Sequence, residues 1–218
     1  MPVITDLEIH QRDKERVKLF LDDEFVLDLP LMEAARLRRG QSLTEAEVLE
    51  LTSARDLQQA FDRAIRFLSY RPRSVEEVRR HLVKKAVPDS LIAVLIARLQ
   101  ERGYVDDLEF ARFWIANRER FKPMGSRALK YELRQKGVAY DVLDVALAGL
   151  DESDSAYRAA EARLSRYSGL AREAFRHKLS AMLRRRGFSE YAINEATLRI
   201  QAELEERDPG YFHSADAE

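Results

Sequence analysis

At 218 residues, with 45% hydrophobic and 34% charged, the chain is sized for one large domain or several small ones and suits a soluble protein rich in amphipathic helices. It holds no cysteine, which excludes disulfides, thiolate metal sites and a cysteine nucleophile, and fits a reducing compartment. No apolar run is long enough to span a bilayer and Met1–Asp6 carries no signal-peptide pattern, so a cytoplasmic protein is expected.

The first thirty residues read as β. Val3–Ile9, Arg16–Leu21 and Glu24–Leu29 are short runs bounded by turn residues. Val17, Leu19 and Leu21 alternate onto one face, as do Phe25, Leu27 and Leu29, and Asp22-Asp23 joins the last two strands as a hairpin. Three strands alone bury little, so the sheet must pack on a helix. Pro30 starts a helix over Leu31–Arg39, with Gly40 as its stop. Thr44-Glu45-Ala46-Glu47 has capping-box spacing and predicts a short helix to about Leu51.

From there the pattern is helical and repeats. Leu57, Phe61, Ile65 and Leu68 form one stripe; Ser74-Val75-Glu76-Glu77 opens a helix burying Val75, Val78, Leu82 and Ala86; Ser90 to Arg102 buries Leu91, Leu95 and Leu99. The second copy caps a helix at Asp106-Asp107, opens the next at Ser126, ends it at Gly137 and opens a third at Asp141. A third copy runs from Ser155 to about Ile200. The register is carried by Val78/Leu82, Leu129/Leu133 and Leu179/Leu183, then Val87, Val138 and Phe188, then Ile92, Leu143 and Ile193. The fold class expected is mainly α, with tandem three-helix repeats in an extended, curved solenoid-like array after a small N-terminal β-hairpin/α module. The expected boundaries are 1–53 for that module, 54–105, 106–152 and 153–206 for the repeats, and 207–218 for a disordered tail.

No phosphate-binding glycine loop, metal-spaced histidine pair or Gly-x-Ser-x-Gly elbow is present, so neither a catalytic residue nor a metal or cofactor is expected. His10, His81, His177 and His213 are dispersed. Asp106-Asp107 reads as a cap, Phe110, Phe113 and Trp114 as core rather than a base-stacking platform, and Tyr104 and Phe188 as locks on helix stops. Net charge is only −1, but its sign is segregated. Acidic residues gather near the N-terminus and in the tail, and Arg71–Lys85, Arg118–Lys136 and Arg172–Arg186 are mostly basic. Arg127, Lys130 and Arg134 share one helix face, and comparable basic faces are expected in all three repeats. The candidate binding residues are Arg71, Arg73, Arg80, Lys84, Arg118, Lys122, Arg127, Lys130, Arg134, Lys136, Arg176, Lys178, Arg184 and Arg185.

Gly103-Tyr104-Val105-Asp106-Asp107, Phe110-Ala111, Gly125 and Leu133-Arg134-Gln135-Lys136-Gly137-Val138 resemble the RecX family of recombination regulators, as do Arg73-Ser74 upstream and Leu183-Arg184-Arg185-Arg186-Gly187-Phe188 downstream. The resemblance covers Leu57 to Ile200. It implies a non-enzymatic, all-α protein of three-helix repeats that binds the RecA–DNA filament in its groove and suppresses ATP hydrolysis and strand exchange. The partners implied are RecA and its DNA filament, with weak direct binding to single- or double-stranded DNA, no membrane, and a monomeric chain. Two other readings stand beside it: a general DNA-binding helical protein of helix-turn-helix type, and a solenoid scaffold without a nucleic-acid role.

Overall fold

The computed structural model describes residues 1–11 and 13–212. The chain divides into two compact units, Met1–Tyr70 with His81–Leu99, and Arg71–Arg80 with the chain from Gln100 onward. Among the described residues, no helix is long and apolar enough to cross a membrane.

In the first unit, β1 (Ile4–Ile9), β2 (Arg16–Leu21) and β3 (Glu24–Pro30) form an antiparallel sheet in that order. Asp22 and Asp23 both take positive φ, 48° and 65°, the left-handed pair that a two-residue hairpin matched to strand twist requires. Val17, Leu19, Leu21, Leu27 and Leu29 point into a core completed by Ile4, Ala34 and Leu43. Phe25 does not join them and is 51% exposed. Leu19 pairs with Leu27 while Phe20 pairs with Phe25, so Val26 is an extra residue in β3 and the alternation flips there.

The helix expected over Leu31–Arg39 is cut to α1 (Leu31–Ala34). The amides of Arg36 and Leu37 bond three residues back, to Glu33 and Ala34, so the chain tightens into turns before Gly40. Thr44 forms the expected capping box with Glu47. The helix it opens is not short, however: α2 runs unbroken over Glu45–Leu68. Thr52 and Ser53 do not interrupt it because their hydroxyls donate back to the carbonyls of Val48 and Leu49. Val48 and Leu51 pack on the sheet core. Further along, Ala60 and Ala64 are buried and Leu57, Phe61, Ile65 and Leu68 are only half-buried.

The next helices are α3 (Val75–Lys84) and α4 (Asp89–Glu101). Val78, Leu82, Ile92, Leu95 and Leu99 are fully buried, whereas Val75 is half-buried and Ala86 exposed. The second repeat is α5 (Asp107–Phe121), α6 (Ser126–Gln135) and α7 (Tyr140–Leu147), around Phe110, Ala111, Leu129, Leu133, Val138 and Leu143. The third is α8 (Glu152–Glu161), a 3-10 turn (Leu164–Tyr167), α9 (Arg172–Arg185) and α10 (Glu190–Arg207), around Phe175, Leu179, Leu183, Phe188, Ile193 and Ile200. Helices this short gain their stability from such mutual burial rather than from propensity. The tail expected to be disordered begins with an ordered piece, in which Phe212 packs edge-on against Phe175 at 5.1 Å. The rest of that tail, with His213, lies outside the described residues.

Phe113 departs from the expected core, being 39% exposed. At 100° per residue it lies 160° around the helix from both Ala111 and Ile115, the buried residues two positions to either side of it. Tyr104 is likewise 52% exposed, whereas Phe188 is buried as expected.

Candidate binding surface

The repeats of the second unit are joined by one device used twice. Each middle helix begins against the glycine turn that closes the next repeat's middle helix. The Ser74 hydroxyl donates to the Lys136 carbonyl at 2.6 Å, and at the equivalent place the Gly125 amide donates to the Arg186 carbonyl at 3.0 Å. Gly137 and Gly187 have φ of 85° and 82°, and a Cβ on either would meet Glu76 Cβ at 2.3 Å or Ala128 Cβ at 2.5 Å. The glycines therefore serve both backbone handedness and close approach.

An acid from the next repeat then caps the same helix start. Asp106 caps its own helix through the Leu108 and Glu109 amides, as expected. Asp107 instead accepts the Val75 amide at 2.9 Å. Burial pushes the Asp107 carboxyl up, and the Val75 hydrogen bond only partly offsets this. In the next junction Glu152 accepts the amides of Ser126 and Ser189, each at 3.1 Å. Ser126 is thus the first helical residue of α6 and not its cap; Gly125 holds that position and has no side chain to offer.

Several candidate cations are drawn into this framework. Arg71 makes a bidentate pair with Glu77 at 2.9 and 3.0 Å, and Lys136 reaches the same carboxylate at 3.0 Å. Burial pushes the Glu77 carboxyl up, but the bonds from Arg71 and Lys136 outweigh it and hold it below the usual range. Arg118 pairs with Glu132 at 2.8 Å, and the Trp114 indole N–H donates to the same oxygen at 2.8 Å. Arg118 and Lys136 also lie 4.7 and 4.1 Å from the Trp114 ring centroid, so that ring is engaged within the chain. Arg80 pairs with Glu76 at 2.8 Å and donates to the Gln135 carbonyl at 3.2 Å. Burial first, then the Arg71 charge, lowers the pKa of Arg73.

Arg127, Lys130 and Arg134 do share an outer face of α6, each tied to a neighbour. Arg127 donates to the Arg184 carbonyl at 3.0 Å, Lys130 pairs with Asp144 at 2.7 Å, and Arg134 donates to the Val138 carbonyl at 3.0 Å. In register with them stand Glu76, Arg79 and Val83 on α3, and His177, Ser180 and Arg184 on α9. That face does not recur as a matched basic set, contrary to expectation. Arg184 pairs bidentately with Glu190 at 2.7 and 2.8 Å. Lys84, Lys122, Arg176, Lys178 and Arg185 are exposed and, among the described residues, have no carboxylate partner. On α9, Lys178 and Arg185 are seven residues apart and share a side, with Arg176 turned 200° from Lys178. No group of His, Cys, Asp and Glu among the described residues could hold a metal ion.

The fold and its charged edges define a tandem three-helix-repeat protein. Residues 60–107 match the family model described as RecX, first three-helix domain, and residues 106–147 that of RecX, second three-helix domain. The chain is 32% identical over 211 residues to the regulatory protein RecX of Bacillus subtilis, covering 94% of this chain and 80% of that one. It is 33% identical over 201 residues to that of Bacillus licheniformis, covering 90% and 76%. A crystal structure of regulatory protein RecX superposes with a TM-score of 0.76 at 21% identity, over 90% of this chain and 98% of that one. The chain belongs to the RecX family. The second match ends at residue 147, before α8.

Proposed function

We propose that this protein regulates the RecA recombinase, binding the RecA–DNA filament in its groove and lowering ATP hydrolysis and strand exchange. Membership of a family whose relatives are named regulatory protein RecX carries the reading. The electrostatics agree with it: exposed cations without a carboxylate partner among the described residues lie on both units, Lys84 on the first and Lys122, Arg176, Lys178 and Arg185 on the second. Arg127 and Arg134 add exposed guanidiniums anchored through carbonyls rather than by direct carboxylate pairs. The residues pinned by Glu77, Glu76 and Glu132 act in this reading as scaffold. The protein works in the cytoplasm as a monomer, without a cofactor. Titrating it into RecA with single-stranded DNA and following ATP hydrolysis tests the proposal. Hydrolysis should fall at stoichiometric amounts, and an unchanged rate would overturn it.

The unpartnered cations also support binding to bare DNA, the helix-turn-helix alternative. That reading requires an affinity for naked DNA at least as high as for the filament.

A further inference from the structure

The second and third repeats carry matching cations whose surroundings differ in one respect. Buried first-helix pairs set the register, Ala60/Ala64, Ala111/Ile115 and Ala156/Ala160. With the middle-helix leucines, they align Arg118 with Arg163, Glu132 with Met182, Lys136 with Arg186 and Glu77 with Ala128. The first repeat checks the alignment: Phe67 and His81, at the places of Arg118 and Glu132, stack at 4.0 Å. In the second repeat each cation has a carboxylate, Arg118 with Glu132 and Lys136 with Glu77. In the third repeat both cations are kept as arginines, and both acids are replaced by apolar side chains.

Arg163 and Arg186 are half-buried and, among the described residues, no carboxylate pairs with either. Arg163 follows the end of α8 and Arg186 caps α9, and α9 packs on both α8 and the 3-10 turn. Burial, then the like charge of Arg163, lowers the pKa of Arg186. A half-buried guanidinium facing a like charge without an acid is costly unless an external anion joins them. Arg166 on the 3-10 turn and Arg185 are exposed cations adjoining the pair in sequence. A run of cations rather than one enclosed pocket fits a chain of phosphates better than a free ion.

We propose that Arg163 and Arg186 form a clamp for a backbone phosphodiester of a nucleic acid, made by deleting the two carboxylates that neutralise the matching cations of the second repeat. Planar guanidiniums suit this task because each presents paired N–H donors to phosphate oxygens. The clamp is independent of RecA, so its failure and the failure of the proposed function are separable.

The test is anisotropy of a labelled single-stranded oligonucleotide with the full chain across a salt series, without RecA, comparing the unmodified protein with Arg163→Gln/Arg186→Gln. Arg199→Gln, which removes a cation already paired with Glu203, is the control. The double variant should bind about tenfold more weakly near 0.1 M salt, with a salt slope shallower by about 0.7 for one lost phosphate contact. Its melting temperature should not fall, since the Arg186 contact to Gly125 is made by the backbone and two like charges are removed. Met182→Glu, rebuilding the internal acid, should give the same loss; if that buried change unfolds the chain, the Gln variants still decide. Affinity and slope equal to the unmodified protein would overturn the clamp. Inorganic phosphate raising the melting temperature of the unmodified protein alone, with oligonucleotide binding unchanged in the double variant, would overturn the nucleic-acid assignment.

Discussion

The Asp107 carboxylate accepts the backbone amide of Val75, 32 residues earlier in the chain, at 2.9 Å. A helix N-terminus leaves amides unsatisfied, and a local side chain usually takes one of them. Here the acid comes from the following repeat, so capping one helix also fixes the repeat beside it.

Replacing Asp107 separates the hydrogen bond from the charge. Asp107→Ala should cost about 1 kcal/mol, the usual loss of a cap. Asp107→Asn should cost less, because an amide oxygen still accepts and the burial that pushes this carboxyl up no longer opposes it. Urea unfolding of the two variants checks the order, and an Asn variant weaker than Ala would refute it.

Glu77 gives a pH dependence of known sign. Its folded pKa is lowered, so its contribution is present above the ordinary value of 4.5 and is lost as pH falls through the folded value. Asp107, whose pKa is raised, has the opposite sign: its ionisation costs stability as pH rises above 3.8. Glu77→Gln should destabilise by about 1–2 kcal/mol at pH 7, since three charged hydrogen bonds, two from Arg71 and one from Lys136, weaken together. The difference from the unmodified protein should shrink toward pH 3 in denaturant titrations.

Gly187→Ala should cost more than its backbone conformation alone accounts for. Placing a Cβ at positive φ costs about 1–2 kcal/mol. The added atom would also strike Ala128 at 2.5 Å, forcing the two repeats apart. The first repeat supplies the comparison, because Ala86 occupies the matching place at φ 56° with its side chain exposed. Ala86→Gly should accordingly stabilise. Thermal melts of both variants, read against each other, measure the junction.

Leu133→Ala should cost about 2–5 kcal/mol, as expected for a fully buried leucine with neighbours that cannot collapse into its space. Lys130→Glu should cost less than about 1 kcal/mol, since its pair with Asp144 is largely exposed. Equal losses by chemical denaturation would contradict these positions.

Local signals in the sequence carried most of the fold. The Thr44 box, the Asp106 cap and the paired leucines of each middle helix act within a few residues and are present, and strand alternation holds except at Phe25. What the sequence hid is long-range. Glu77 meets Lys136 across 59 residues and Glu152 caps α6 across 26, so neither follows from helical spacing. The same long reach ties several of the candidate cations to carboxylates of other elements. Arg163 escaped notice because the third repeat carries five more residues between its first and second helices, which breaks a constant period. The buried pair Ala156/Ala160 would have restored the alignment.

The proposed partner is the RecA filament rather than naked DNA. Binding of this protein to single-stranded DNA and to RecA assembled on the same strand, titrated side by side at one salt concentration, tests it most directly. Binding to the filament should be clearly tighter, at a ratio fixed by protomers of RecA. Equal or tighter binding to the bare strand would contradict it.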